Sequence, residues 1–328
     1  MIKVYSTRGV ETWPSWHLVW EWEDIIAKVN GWSLITDNVL FRKIRKKFPF
    51  LKLSGLPKSP VFIYEMGYER FSEENKYNRF NKRNVFPCII DYFLKDENLS
   101  LFEKQYSEHQ KVFVSSKEVY DRLKNLGINL PIYHLPLSLP DYYKINDSSF
   151  LNWTTREYDV VLVGRQNTIL KQYLENYART HTSFVYVVED ERKDRKFHYY
   201  TSKGEYVGYY YSRTQYMSLL SKSKVAMYAT PGIDGGEKRT NGYNQVTPKF
   251  LEYIASGCNI IARWADNADT DYYHIKDFSD NIQSYQQFEY AMDRALTTKP
   301  DACFYANYLS SHYTSKRAEQ LKQHIESI

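Results

Sequence analysis

The run Val246-Thr247-Pro248-Lys249-Phe250-Leu251-Glu252-Tyr253-Ile254-Ala255-Ser256-Gly257-Cys258 carries the densest chemistry in the chain. Thr247 suits a helix N-cap and Pro248 the first helical position. Phe250, Leu251, Ile254 and Ala255 make one apolar helical face, and Gly257 stands where such a helix stops. The stretch before it holds Gly232, Gly235, Gly236, Asn241, Gly242 and Asn244, residue types that tolerate unusual backbone angles. A loop of this kind feeding a helix presents unsatisfied backbone N–H groups and the positive end of the helix dipole, an arrangement suited to phosphate. Lys249 in the first turn opposes the dipole but complements an anion placed there. Glu252, one turn on, can accept two hydrogen bonds from vicinal hydroxyls such as those of a ribose. A helix glutamate taken singly is an ordinary solvated side chain; the glycine-rich loop, the Thr-Pro start and Lys249 turn the balance toward binding.

Such a site needs elements to hold it. Val160-Val161-Leu162-Val163 is apolar on consecutive residues, as a strand covered on both faces is. Leu170, Tyr173, Leu174 and Tyr177 then share a helical face. Phe184 to Val188 gives a second strand, Ser212 caps a helix with Tyr216, Leu219 and Leu220, and Val225 to Tyr228 and Ile260 to Ala262 give two more strands. The first half repeats the theme. Strands are expected at residues 1–6, 61–64, 87–91, 112–114 and 132–135, with helices over about 16–29 and 99–110. Ser115-Ser116 caps a further helix that carries Val119, Leu123 and Leu126 and stops at Gly127. Pro140, Asn146, Asp147, Ser148 and Ser149 break the pattern over 139–157. The reading is two α/β domains, 1–150 and 151–311, with a terminal helix in 312–328 that packs back on the first, and a ligand cleft at the strand C-terminal ends.

The run T-P-K-F-L-E-Y-I-A-S-G-C-N-I-I-A resembles the donor-site helix of GT-B glycosyltransferases, in which P-x-x-x-E-A-x-A-x-G-x-P recurs. The resemblance implies two Rossmann-like domains facing a central cleft, with a nucleotide-sugar donor on the second. Many members carry a glutamate, seven residues, and a second glutamate. Glu252 matches the second, which implies a ribose contact. Asn244 stands at the first, the donor-sugar contact, so the chain departs from the pattern there. Gly164-Arg165 followed by Lys171 is similar to the G-R…K element of the same enzymes, whose cations hold the donor diphosphate; fixed cations stabilise the charge that develops on a departing nucleoside diphosphate. K-V-F-V-S-S-K-E-V-Y-D-R-L-K-N-L-G with I-Y-H-L-P-L-S-L-P resembles the end of a GT-B N-terminal domain. The implied donor set is Arg165, Lys171, Asn244, Thr247, Pro248, Lys249 and Glu252. Asp91, closing P-C-I-I-D at the sheet edge, is a candidate base for an acceptor hydroxyl or a donor-sugar contact, against an ordinary strand-end cap. Arg8 and Gly9 are candidate acceptor contacts.

Bulk properties narrow the classes. With 328 residues the chain exceeds one compact domain, and 44 basic against 39 acidic residues leave a mild +5, compatible with phosphate-bearing partners but requiring none. Cys88, Cys258 and Cys303 are scattered and odd in number, which argues against disulfides and structural zinc. No G-x-G-x-x-G follows a strand, no P-loop occurs and no H-x-x-x-H pair occurs, which disfavours dehydrogenase, P-loop and zinc-hydrolase chemistry. Asp269-Thr270-Asp271 reads as a solvated loop, and His134 as a packed side chain. No apolar run is long enough to span a bilayer and no signal peptide leads the chain, so a cytoplasmic location is expected, with peripheral attachment at a membrane left open. The expectation is a metal-independent glycosyltransferase that uses a nucleotide sugar and a glycan or lipid-linked glycan of surface polysaccharide, needs no cofactor and binds no nucleic acid. The alternatives are a nucleotide-sugar epimerase or hydrolase on the same scaffold, and a non-catalytic protein that binds sugar or nucleic acid through its 31 tyrosines.

Overall fold

Short apolar runs of the first half assemble into one parallel sheet. Its strands are β1 (Lys3–Ser6), β2 (Ser33–Thr36), β3 (Val61–Glu65), β4 (Val85–Ile89), β5 (Val112–Val114) and β6 (Ile132–His134). The order is β2-β1-β3-β4-β5-β6, every pairing parallel. The structure, a computed structural model, describes residues 1–8, 14–36, 47, 59–66, 82–145, 150, 152–193 and 196–327. Every residue of β3, β4 and β5 is buried, and apart from Glu65 at the end of β3 these strands are apolar or aromatic, as strands covered on both faces are.

One face is covered by α1 (Trp16–Asn30), whose Trp16, Val19, Trp22 and Ile26 pack with Val4, Phe62 and Phe113. The C-terminal helix Thr314–Glu326 adds Ala318, Leu321 and Ile325 to this core. It is tied down at its start, where Thr314 N donates to Leu139 O at 2.9 Å and Ser315 Oγ donates to Asp141 at 2.7 Å. The other face takes α2 (Leu99–Tyr106) and α3 (Lys117–Asn125), with Phe102, Tyr106, Val119 and Leu123 packed on Ile89, Val112 and Ile132. The Ser116 hydroxyl caps α3 by accepting from Val119 N at 3.2 Å.

A second six-stranded sheet is built from β7 (Tyr158–Leu162), β8 (Tyr186–Lys193), β9 (Lys196–Thr201), β10 (Tyr206–Tyr210), β11 (Ser223–Ala229) and β12 (Asn259–Arg263). Its order is β10-β9-β8-β7-β11-β12. β8, β7, β11 and β12 run parallel, while β9 and β10 add an antiparallel ribbon at one edge. The helices of this unit are α4 (Thr168–Thr180), α5 (Arg213–Ser221), α6 (Lys249–Ala255), α7 (Ala268–Tyr272), α8 (Tyr285–Thr297) and α9 (Ala302–Ser310). Val160, Leu162, Leu170, Leu174, Val225, Ile261, Phe288 and Met292 form its core. Asn167 caps α4 through Leu170 N, and Ser212 with Gln215 forms a capping box on α5.

The chain divides into two units: Met1–Asp141 with Arg239–Tyr243 and Tyr313–Ile328, and Tyr142–Lys238 with Asn244–His312. The break therefore falls nearer the N-terminus than residue 150, and Asn146–Ser149 of the turn-rich stretch lie outside the described residues. The short stretch Arg239–Tyr243 belongs to the first unit because Tyr243 packs edge-on against Tyr92 and lies under Arg122. The Asp269-Thr270-Asp271 triplet is not a solvated loop. It forms most of α7, Asn267 caps it in a capping box, and Asp269 is buried.

Candidate functional site

In the second sheet β7 lies between β8 and β11. The chain leaves β7 for β8 on one side and returns as β11 on the other, so the order reverses at β7. Open α/β sheets bind ligands beyond the strand C-termini at such a reversal. The segments leaving β7 (residues 163–167) and β11 (residues 230–237) emerge there, and the start of α6 meets the first of them.

Gly164 sits in the left-handed region at φ +63, which glycine adopts without strain, and its N–H donates to Glu189 Oε2 at 2.9 Å. Beside it, Lys249 Nζ lies 3.4 Å from Val163 O and 3.5 Å from Arg165 O. The Gly164-Arg165 element and the first turn of α6, 84 residues apart in sequence, thus meet directly. Arg165 Nη1 forms an ion pair with Glu237. Lys171, on α4, is half-exposed and has Glu175 as its ion partner at 3.9 Å, one turn away; no contact joins it to Arg165 or Lys249 among the described residues.

The segment after β11 is held from several sides. Asp234, at φ +57, accepts from Arg263 Nε at 2.6 Å and Nη2 at 2.7 Å and from Asn167 Nδ2 at 2.8 Å. The hydrogen bonds from Arg263 hold the Asp234 carboxyl below its ordinary pKa, and the Arg263 guanidinium is raised in turn. Asn244 is buried. Its Oδ1 accepts from Thr230 Oγ1 at 2.9 Å and Gly232 N at 3.1 Å, so its amide oxygen shapes the loop.

Helix α6 is regular from Lys249, with Pro248 as the capping residue in helical angles, one position later than the Thr247 cap expected. No side chain caps it; Thr247 N donates to the Tyr228 hydroxyl at 3.0 Å, and Thr247 O accepts from Phe250 N at 3.1 Å. Gly257 ends the helix at φ +67. Glu252 is buried, and its carboxylate accepts from Arg213 Nη2 at 2.7 Å and from the Tyr216 hydroxyl at 3.0 Å. Burial and the neighbouring Glu252 charge raise the Tyr216 phenol well above its ordinary pKa, which keeps it a donor. The Arg213 guanidinium lies over the Tyr216 ring at 5.0 Å and the Tyr143 ring at 5.6 Å. Arg213, Asp234, Glu237 and Arg263 were not singled out in the sequence, and Tyr216 was read only as a helix-face residue.

In the first unit, Asp91 is half-buried just beyond the end of β4, at the C-terminal edge of the sheet. Arg8 follows β1 and is engaged by Asp24 at 2.5 and 2.7 Å and by Trp20 O at 2.6 Å. Gly9 lies outside the described residues. Next to Ser6 at the end of β1, the buried Glu23 carboxyl is pushed up to about 8, chiefly by desolvation. Among the described residues no group of three or more His, Cys, Asp or Glu side chains could hold a metal ion, and no helix is long and apolar enough to cross a membrane.

No protein-family model and no curated protein matches the chain. Solved structures do. The chain is similar to AviGT4, a glycosyltransferase involved in avilamycin A biosynthesis (9% identity, 99% of this chain and 96% of that one, TM-score 0.54). It is similar to a UDP-forming α,α-trehalose-phosphate synthase from Burkholderia xenovorans (11% identity, 99% and 98%, TM-score 0.53). It is also similar to a Listeria monocytogenes protein described as a UDP-N-acetylglucosamine 2-epimerase (10% identity, 99% and 97%, TM-score 0.54). Of two longer matching chains, one of them the pneumococcal O-GlcNAc transferase GtfA, the chain spans about three fifths, 60% and 59%. The fold is that of the GT-B class: α/β, with two Rossmann-like units.

Proposed function

We propose that this chain is a glycosyltransferase that takes its sugar from a nucleotide-activated donor bound on the second unit. The observation that carries the reading is the meeting of Lys249 Nζ with the backbone of Val163 and Arg165 at the strand reversal. It brings the Lys249 ammonium to the backbone of the Gly164-Arg165 element, where a parallel sheet receives a ligand. Lys249 and Arg165 would take the donor diphosphate, with Lys171 reaching it from α4, and the 247–248 backbone would border it. The charge that builds on the departing nucleoside diphosphate would be stabilised by these fixed cations, so the reading calls for no metal or cofactor.

Glu252 would take the ribose. Arg213 and Tyr216 fix its carboxylate in one orientation, and each carboxylate oxygen has capacity for a further donor. Asn244 would act through the loop it braces. On the first unit Asp91 is the base proposed for an acceptor hydroxyl, with Arg8 near the acceptor. The acceptor class we propose is a glycan or lipid-linked glycan of a surface polysaccharide, met on the cytoplasmic side at or near a membrane surface.

The likeness to a protein described as a UDP-N-acetylglucosamine 2-epimerase favours a second reading, conversion of the donor without an acceptor. One experiment separates the two. UDP-, GDP- and TDP-sugars are incubated with the protein, with and without a glycan acceptor fraction, and free nucleotide and sugar are quantified. Release of nucleoside diphosphate that depends on the acceptor supports transfer. Equal consumption of donor without acceptor supports epimerisation or hydrolysis, and no consumption of any donor contradicts both.

A further inference from the structure

The segment after β11 ends in a turn that only glycine permits. A Cβ on Gly236 would lie 2.5 Å from Pro231 O and 3.0 Å from Ile233 O, both backbone atoms that cannot step aside. The turn closes through Gly236 N donating to Ile233 O at 2.9 Å and Glu237 N donating to Pro231 O at 3.0 Å. Around it stand three further anchors: Asp234 on Arg263, Asp234 on Asn167, and Asn244 Oδ1 on Gly232 N. What this braced turn delivers is the Glu237 carboxylate, set against Arg165 Nη1. Both side chains are partly exposed, 35% for Arg165 and 26% for Glu237, so solvent alone would leave the arginine free to sample many rotamers.

We propose that Glu237 is a positioning residue for nucleotide binding: it holds the Arg165 guanidinium by one edge so that the other edge meets the diphosphate. This rests on the donor reading above. The contact uses Nη1, and the guanidinium forms no other side-chain hydrogen bond among the described residues. Arginine carries five N–H donors in a rigid fork, so an edge remains for a phosphate while the carboxylate keeps its own. Because the turn is anchored at both ends, Glu237 stays in place when the anion arrives and the arginine is shared between them. A mobile carboxylate would act in the opposite sense, as an internal competitor for the cation.

The two roles differ in sign, and binding of a nucleoside diphosphate measured against its parent nucleoside tells them apart. The probes are uridine with UDP, guanosine with GDP and thymidine with TDP, titrated calorimetrically into wild type, Glu237→Ala, Glu237→Gln and Gly236→Ala, each checked for an unchanged far-UV spectrum. Glu237→Ala is expected to weaken the diphosphate about tenfold or more and leave the nucleoside unchanged. Glu237→Gln, which keeps an acceptor for Nη1, is expected to recover most of the loss. Gly236→Ala, which displaces the turn and spares the carboxylate, is expected to imitate Glu237→Ala. Unchanged or tighter diphosphate binding by Glu237→Ala, or equal loss for nucleoside and diphosphate, overturns the proposal. Should wild type bind none of the three diphosphates, the donor reading itself fails, which is a separate result.

Discussion

Gly257→Ala is the substitution that most directly tests how α6 is set. Gly257 is left-handed at φ +67, which costs an alanine roughly 1–2 kcal/mol. Space is the larger obstacle: the new Cβ would lie 2.8 Å from Phe150 Cε1 and 2.9 Å from Arg156 Nη2. Arg156 is not a spectator. Its Nη2 donates to Ser256 O at 2.7 Å, and its Nη1 donates to Ser223 O at 2.6 Å and Gly257 O at 2.9 Å, so one guanidinium satisfies the end of α6 and the start of β11 together. Overpacking of this kind costs about 1–3 kcal/mol and a displaced charged hydrogen bond about 1.5–3 kcal/mol. The sum is about 3.5–8 kcal/mol, which in a unit of this size lowers the melting temperature by roughly 7–30 °C. Gly204→Ala is the control. Gly204 is also left-handed, at φ +84, but nothing lies within 4 Å of its Cβ position, so only the backbone cost applies and the drop is about 2–8 °C. Scanning calorimetry of the two variants decides. Equal, small shifts would refute the claim that Gly257 and Arg156 jointly lock the helix.

Two further predictions concern pH. Burial raises Glu23 to about 8 from an ordinary 4.5, so the folded unit holds a proton that the unfolded chain releases; that stability is complete below about 4.5 and is lost as the pH rises through 8. Glu23→Gln is expected to flatten urea-derived stability between pH 5 and 8 and to exceed wild type at pH 8 by something of the order of 4 kcal/mol, and parallel pH profiles would contradict it. His134 is pushed down to about 4 from 6.5, mainly by burial, so the unfolded chain takes up the extra proton and stability falls as the pH drops from 6.5 to 4. Replacing it as His134→Gln is expected to remove an acid-side loss on the order of 3 kcal/mol, read from melts at pH 7 and pH 4.5.

The parts of the fold that were legible are those encoded in short-range pattern. Continuous apolar runs marked β3, β4, β5, β7 and β11 because both faces of those strands are covered. Cap residues at Ser116 and Ser212 marked helix starts because their side chains close onto the next turn. β9 and β10 escaped notice because aromatic residues occupy both their faces: Tyr199 is buried while Tyr206 and Tyr209 are exposed, so apolar and polar positions do not alternate. The same limit applies at the site. Gly164-Arg165 and the start of α6 could be read locally, whereas the partners of Glu252 lie 36 and 39 residues away and that of Arg165 lies 72 away, on elements whose approach depends on sheet order. Asp269 misled because an acidic triplet looks solvated until Asn267 is seen to cap it and bury it. Arg8 carries no sequence sign of Asp24, which holds it from a facing turn of α1.

The most direct measurement is calorimetric titration of UDP, GDP, TDP and CMP, with uridine, guanosine, thymidine and cytidine beside them, into wild type, Lys249→Met and Glu252→Ala. One nucleoside diphosphate is expected to bind wild type, with Lys249→Met weakening the diphosphate about tenfold and Glu252→Ala weakening nucleoside and diphosphate alike. Binding of none of the four, or binding that both variants leave unchanged, would contradict a nucleotide-sugar site at the β7–β11 reversal.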